Sequence, residues 1–314
     1  MSALLAVVVT MIVAIAVIAL AGAARRTPPP AAGTPASEAS RRVDAHLRRA
    51  RLAGITLVIA AATSIAASSA ALSRAEQGWP LFVAVPLAAL LLPIAVAVGE
   101  STAPIRRTSV VRTATLRPRD SATYLPAWRL SLMRASAGTA AIAMIIGIVT
   151  ATDGRRLVYS CADLSTSFAG GASSPYPGAV YAVPGVLALT AVVLVAELTV
   201  RRIVGRPPAG DPELDPDAEL DERLRCTALR SVARAASTAA AVLLVQTSLP
   251  MAWQLNRAAD ALADAGCGDG SIAAWWDVPA YAGAALGLSI LAALAVDVYA
   301  GRPARVRTRS GARS

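Results

Sequence analysis

Seven long apolar runs constrain this chain more than any other feature. They are Ala3–Ala24, Leu52–Leu72, Leu81–Val98, Ala135–Thr152, Ala179–Val200, Ala235–Trp253 and Val278–Val298, and the only charges inside them are Glu197 and Asp297. At a rise of about 1.5 Å per residue, segments of roughly 20 residues cross a hydrocarbon core of about 30 Å. Water offers no refuge for so much apolar surface: 55% of the 314 residues are hydrophobic and only 16% charged, against roughly a quarter charged in soluble domains. The runs predict an all-α, polytopic transmembrane helix bundle of seven spans. Ala135–Thr152, which no other run undercuts in length, is expected to recruit Leu130 to Met133, with Arg134 turned inward or snorkelling to the interface.

The basic residues set the orientation. All 30 are Arg, and together with heavy Ala usage this points to a GC-rich bacterial coding sequence and a bacterial cell membrane. With the N-terminus outside and the C-terminus inside, the outer loops 73–80, 153–178 and 254–277 hold Arg74, Arg155, Arg156 and Arg257 only. The other 26 fall inside, which leaves the outer face at about −3 and the inner face at about +13, the asymmetry expected of cytoplasmic loops. The same distribution argues against nucleic acid as a partner despite the net charge of +10: the Arg residues sit in short segments beside apolar runs rather than on one continuous basic face. Anionic lipid headgroups on the inner face are the partner these arginines imply, with a membrane-protein partner or a second copy of the chain as a further possibility.

Four regions follow. Residues 1–24 read as an uncleaved anchor, because the run lacks a basic leader and its apolar core is longer than a signal peptide's. Residues 25–51 carry a Pro-rich linker and a basic helix. Residues 52–301 form a six-helix membrane domain, and residues 302–314 a basic tail. The six helices pair into hairpins 52–100, 135–202 and 235–301. Each opens on Arg-rich sequence, has a Pro in its second helix (Pro86, Pro184, Pro279) and ends near one acid (Glu100, Glu197, Asp297). Arg134 to Glu197 and Arg234 to Asp297 are the same interval. This suggests a threefold internal repeat.

The candidate residues are few. Cys161 and Cys267 fall in outer loops where oxidation is possible and are expected to form a disulfide, whereas Cys226 falls inside and stays reduced. Glu100, Glu197 and Asp297 are costly in hydrocarbon unless partnered; ion pairs with Arg134, Arg234 or the adjacent arginines are the simplest solution. A proton- or cation-coupled site is the sharper alternative, and the acids' place near the inner end counts against it, since transporter sites lie near the midplane. Gln246, in Gln246-Thr247-Ser248 ahead of Pro250, needs a partner in lipid, and an interhelical hydrogen bond would supply one. Met251–Ala265 can extend the sixth helix beyond the membrane or lie along its surface. Asp217–Arg225 should be helical, and Trp79, Trp275 and Trp276 should anchor at the interface.

No HExxH, P-loop or CxxC motif occurs, and no catalytic, cofactor-binding or metal-binding residue is assigned. The reading that suits short loops, small residues and few intramembrane charges is a non-catalytic scaffold or accessory subunit of a membrane complex. A small-molecule or ion transporter with Glu197 and Asp297 in coupling is the alternative, and an intramembrane lipid-modifying enzyme is the second.

Overall fold

The computed structural model describes residues 121–160, 170–173, 176–206, 216–264 and 271–299, together with Ala89 and Ile94 as isolated helical positions. The N-terminal anchor, the linker and basic helix, the Leu52–Leu72 run, most of Leu81–Val98, Trp79, Glu100, Cys161, Cys267 and the tail 302–314 lie outside the described residues. So do the side chains of Trp275 and Trp276.

A single helical turn, α1 (Ser121–Tyr124), precedes α2 (Ala127–Thr150). Pro126, with φ −54°, caps α2; it separates the two helices because its ring disfavours the helical conformation of the residue before it. A short antiparallel hairpin follows, β1 (Leu157–Ser160) with β2 (Gly170–Ser173), in the register Leu157 opposite Ser173 and Ser160 opposite Gly170. The chain then returns through α3 (Ala179–Gly205), turns into α4 (Pro216–Asp264) and returns again through α5 (Ser271–Tyr299). Four of these helices are long and apolar enough to cross a membrane, over Ala127–Thr150, Ala179–Gly205, Leu224–Asp264 and Asp277–Asp297.

The helices are longer than the apolar runs that mark them. α4 has 49 residues, about 74 Å at the α-helical rise, more than twice the hydrocarbon thickness. The apolar stretch 235–253 is only its middle. Ala, Leu, Arg and Glu on either side are strong helix formers; no Gly interrupts the helix, and its one internal Pro, Pro250, lies within the apolar middle. The chain therefore stays helical from Pro216 through Asp217–Arg225 and beyond Trp253 to Asp264. The outer connection expected over 254–277 is correspondingly short, because helix occupies both of its ends.

α4 is the central element. Its apolar stretch is largely buried, while α2, α3 and α5 bury one side and leave Ile142, Ile145, Val149, Leu187, Leu194, Leu198, Leu286, Leu288 and Val296 exposed. Exposed large apolar side chains suit a lipid-facing surface, and small residues at helix contacts let backbones approach closely, because hydrocarbon gives no drive to bury Leu against Leu. The interior of α4 is correspondingly rich in alanine: Ala233, Ala235, Ala236, Ala239, Ala240 and Ala241 are all buried.

The approach of α4 and α5 depends on two glycines one turn apart. A Cβ added to Gly283 would lie 2.7 Å from Ser248 Oγ, and one added to Gly287 would lie 2.7 Å from Val245 Cγ2 and 2.9 Å from the Ala241 carbonyl oxygen. Gly283-x-x-x-Gly287 is the small-residue spacing that lets helix backbones meet in lipid.

The two ends of the bundle differ. At the hairpin end, Leu157 and Tyr176 pack with Met251, Ala252, Leu255, Ala258 and Ala280, so the extension of α4 past its apolar stretch serves as the platform for β1. Gly154 takes φ 76° in the turn before β1, a left-handed conformation that a side chain would strain. At the other end, Ala89 and Leu125 join Leu130, Met133, Val200, Ile203, Leu229 and Val232 in one cluster. The largest fully buried side chain among the described residues is an arginine, Arg225, only 2% exposed.

Candidate functional site: an arginine–carboxylate cluster at one end of the bundle

α2 starts, α3 ends, α4 enters and α5 ends at the same end of the bundle, and this brings arginines and acids together from four helices. Asp297, in the last turns of α5, is the node. Its Oδ1 accepts from Arg129 Nη2 of α2 at 2.5 Å, and its Oδ2 from Arg234 Nε of α4 at 2.8 Å. Arg234 Nη2 approaches the same Oδ2 at 2.6 Å and donates to the Asp297 backbone carbonyl at 3.3 Å. A carboxylate near a helix C-terminus opposes the helix dipole. Two guanidiniums on its two oxygens reverse that penalty.

Glu197 of α3 accepts from Arg134 Nε of α2 at 2.7 Å. The 63-residue intervals Arg134–Glu197 and Arg234–Asp297 are thus both occupied by ion pairs, each joining the two helices of one hairpin near its open end. The environments differ. The Arg134 side chain is 61% exposed, whereas Arg129 is 12% and Asp297 23% exposed. Arg134 can carry its charge to the headgroups along its aliphatic stem; Arg129 and Asp297 are held inside the bundle.

No spacing in the sequence indicated that Arg129 ties α2 to α5, across the two hairpins. Nor did it indicate that Arg225 would be buried. Arg225 donates from Nη1 to the Arg206 carbonyl at 2.8 Å, beyond the end of α3, and its guanidinium lies over the Tyr124 ring at 5.9 Å. Free carbonyls at a helix C-terminus attract cations, and an Arg at the matching height of α4 supplies one. Arg129 also lies over Trp128, at 4.9 Å. Trp128 is exposed, as an interfacial aromatic should be.

Gln246 lies on α4 away from this cluster. Its Oε1 is buried without a hydrogen-bond partner among the described residues. Thr247 next to it donates to the Leu243 carbonyl at 2.8 Å, a bond within its own helix. Among the described residues, no interhelical partner reaches the Gln246 oxygen.

Polar chemistry at the opposite end is local. Asp153 Oδ1 accepts from the backbone N–H of Arg155 at 3.0 Å and of Arg156 at 2.8 Å, closing the turn before β1. The Arg155 N–H foremost holds the Asp153 carboxyl below the usual carboxylate range; desolvation opposes it, and the Arg156 N–H and guanidinium add to the lowering. A depressed folded value means that this contribution is complete above the unfolded value of about 3.9 and is lost as pH falls through the folded one. Tyr176 is buried, its hydroxyl 2.6 Å from Thr150 Oγ1. Burial pushes the phenol's pKa up, and the Thr150 bond opposes this in part. Cys226, expected to remain reduced, is a free thiol half-buried in α4.

Compared with models of known protein families, with curated proteins and with solved structures, the chain matches none.

Proposed function

We propose that the protein is a non-catalytic scaffold or accessory subunit of a bacterial cell-membrane complex, with its arginine-rich end in the cytoplasm. The engagement of both intramembrane carboxylates carries the reading. Asp297 holds two guanidiniums and Glu197 holds one, so neither acid is free to cycle through proton or cation binding without dismantling a link between helices. The function supported is therefore one of holding helices at fixed depth and presenting an apolar outer face. The charge asymmetry supports the orientation. The two equivalent ion pairs support an origin of the 135–202 and 235–301 hairpins by duplication, with 52–100 as the third copy.

Purification in mild detergent should bring down a membrane-protein partner in stoichiometric amount. Substrate flux in proteoliposomes that is lost in Glu197→Gln, or lipid turnover lost in the same variant, would contradict the scaffold reading. A transporter is the second reading, and the Gln246 oxygen, which has no partner among the described residues and lies one turn before Pro250, favours it, because an open acceptor within a spanning helix suits a substrate contact.

The same topology places Cys161 and Cys267 on the outer side, and the elements that flank them support a disulfide: β1 and the outer end of α4 pack together through Leu157 and Leu255. Peptide mapping without reductant should recover a joined pair of peptides that separates on reduction. Free thiols at both positions in freshly isolated protein would remove the disulfide from the account.

A further inference from the structure

We infer that the arginine cluster around Asp297 is a binding site for a phosphate-bearing anion at the cytoplasmic end of the bundle; its cytoplasmic placement rests on the proposed topology, the site itself does not. Arg129 and Arg234 share Asp297 as their partner, Arg230 lies within electrostatic reach of Arg129, and the only carboxylate among the described groups acting on Arg129 is Asp297. Asp297 neutralises one of the three charges. Arg129 Nε and Nη1 and Arg230 Nε are buried without hydrogen-bond partners among the described residues. Burying donors unpaired is costly, and doing so beside like charges adds repulsion. A bound dianion or phosphodiester answers both costs at once.

The donors are of the appropriate kind. Arg presents a planar fork that matches two phosphate oxygens, and charge-assisted bonds of this type are stronger than neutral ones. Arg230 and Arg234 are four residues apart on α4 and so lie on one face, while Arg129 approaches from α2. The site draws on two helices and needs both in place. A lipid headgroup in the adjacent leaflet and a free phosphate ester in solution offer the same oxygens.

The test is thermal unfolding of the full chain in an uncharged detergent, with added phosphatidylglycerol in one arm, inorganic phosphate in another, and chloride at matched ionic strength as the control. The melting temperature of the parent protein should rise by about 3 °C or more relative to chloride, as ligand linkage requires. A rise with the lipid alone assigns the site to a headgroup; a rise with phosphate as well assigns it to phosphate esters in general. In Arg230→Gln, which leaves the Asp297 ion pairs intact, the rise should fall by at least half. Arg202→Gln, at an exposed position on α3, should keep it. No rise in either arm, or the same rise in Arg230→Gln as in the parent, would overturn the proposal.

Discussion

Replacing Asp297 with Asn is expected to lower the melting temperature of the detergent-solubilised protein far more than replacing Glu197 with Gln. Both are neutral, nearly isosteric changes, and both remove one acid from the same end of the bundle. The difference lies in what each leaves behind. Asn at 297 strands Arg129 and Arg234 together, beside Arg230, inside the helix interface. Breaking a fully buried ion pair by removing one partner costs about 3–5 kcal/mol. The 23% exposure of Asp297 places it near the lower end of that range. Gln at 197 strands only Arg134, whose exposed guanidinium can turn to water or headgroups, and such pairs contribute about 0–1 kcal/mol. Combining Arg129→Gln with Asp297→Asn should recover part of the loss, because one unpaired charge is removed with the acid, and the shortfall from additivity measures the coupling. Equal losses for the two single variants would contradict the account and would place the Arg134 guanidinium in hydrocarbon.

Gly287→Leu is expected to disrupt the packing of α5 on α4 and to be among the most damaging changes outside the charged cluster. Even the first atom of a side chain would lie 2.9 Å from the Ala241 carbonyl oxygen and 2.7 Å from a Val245 methyl. The methyl can rotate away, but the carbonyl belongs to a helix backbone and cannot move without the helix. Overpacking of this kind costs about 1–3 kcal/mol when neighbours can adjust, and here the remedy is to separate two helices along their length. The expected result is loss of monodisperse protein on size exclusion. Gly138→Leu on α2 should be tolerated by the same measure, because no atom lies within 4 Å of an added Cβ there. Wild-type behaviour of Gly287→Leu would mean that α4 and α5 do not meet at this point.

The contrast between these sites shows what was legible beforehand. The intervals 134–197 and 234–297 could be counted in the sequence, because an antiparallel hairpin brings its two ends together whatever the details of packing. The helical extension over Asp217–Arg225 was legible from its residue types. The contact of Arg129 with Asp297 was not: it joins helices from different hairpins, and no spacing rule states which hairpins adjoin. The burial of Arg225 was hidden for a related reason, since its partners are carbonyls at the end of another helix and carry no side-chain signature. The hairpin at Leu157–Ser160 was too short and too Gly-rich in its second strand to stand out in a helical chain. Gly283 and Gly287 did carry a signal, a four-residue spacing of glycines within an apolar run, which the charged residues nearby overshadowed.

The central claim is that α2 to α5 cross a membrane with the arginine–carboxylate cluster at the cytoplasmic end. Single cysteines at exposed positions test it most directly, in a chain whose native cysteines have been replaced by serine. Arg156→Cys and Asp260→Cys, at the hairpin end, should react with an impermeant maleimide in intact cells, and Arg202→Cys, at the cluster end, only after permeabilisation. Labelling of Arg202→Cys from outside, with Arg156→Cys and Asp260→Cys protected, would contradict the orientation, and labelling of all three from outside would contradict the crossing itself.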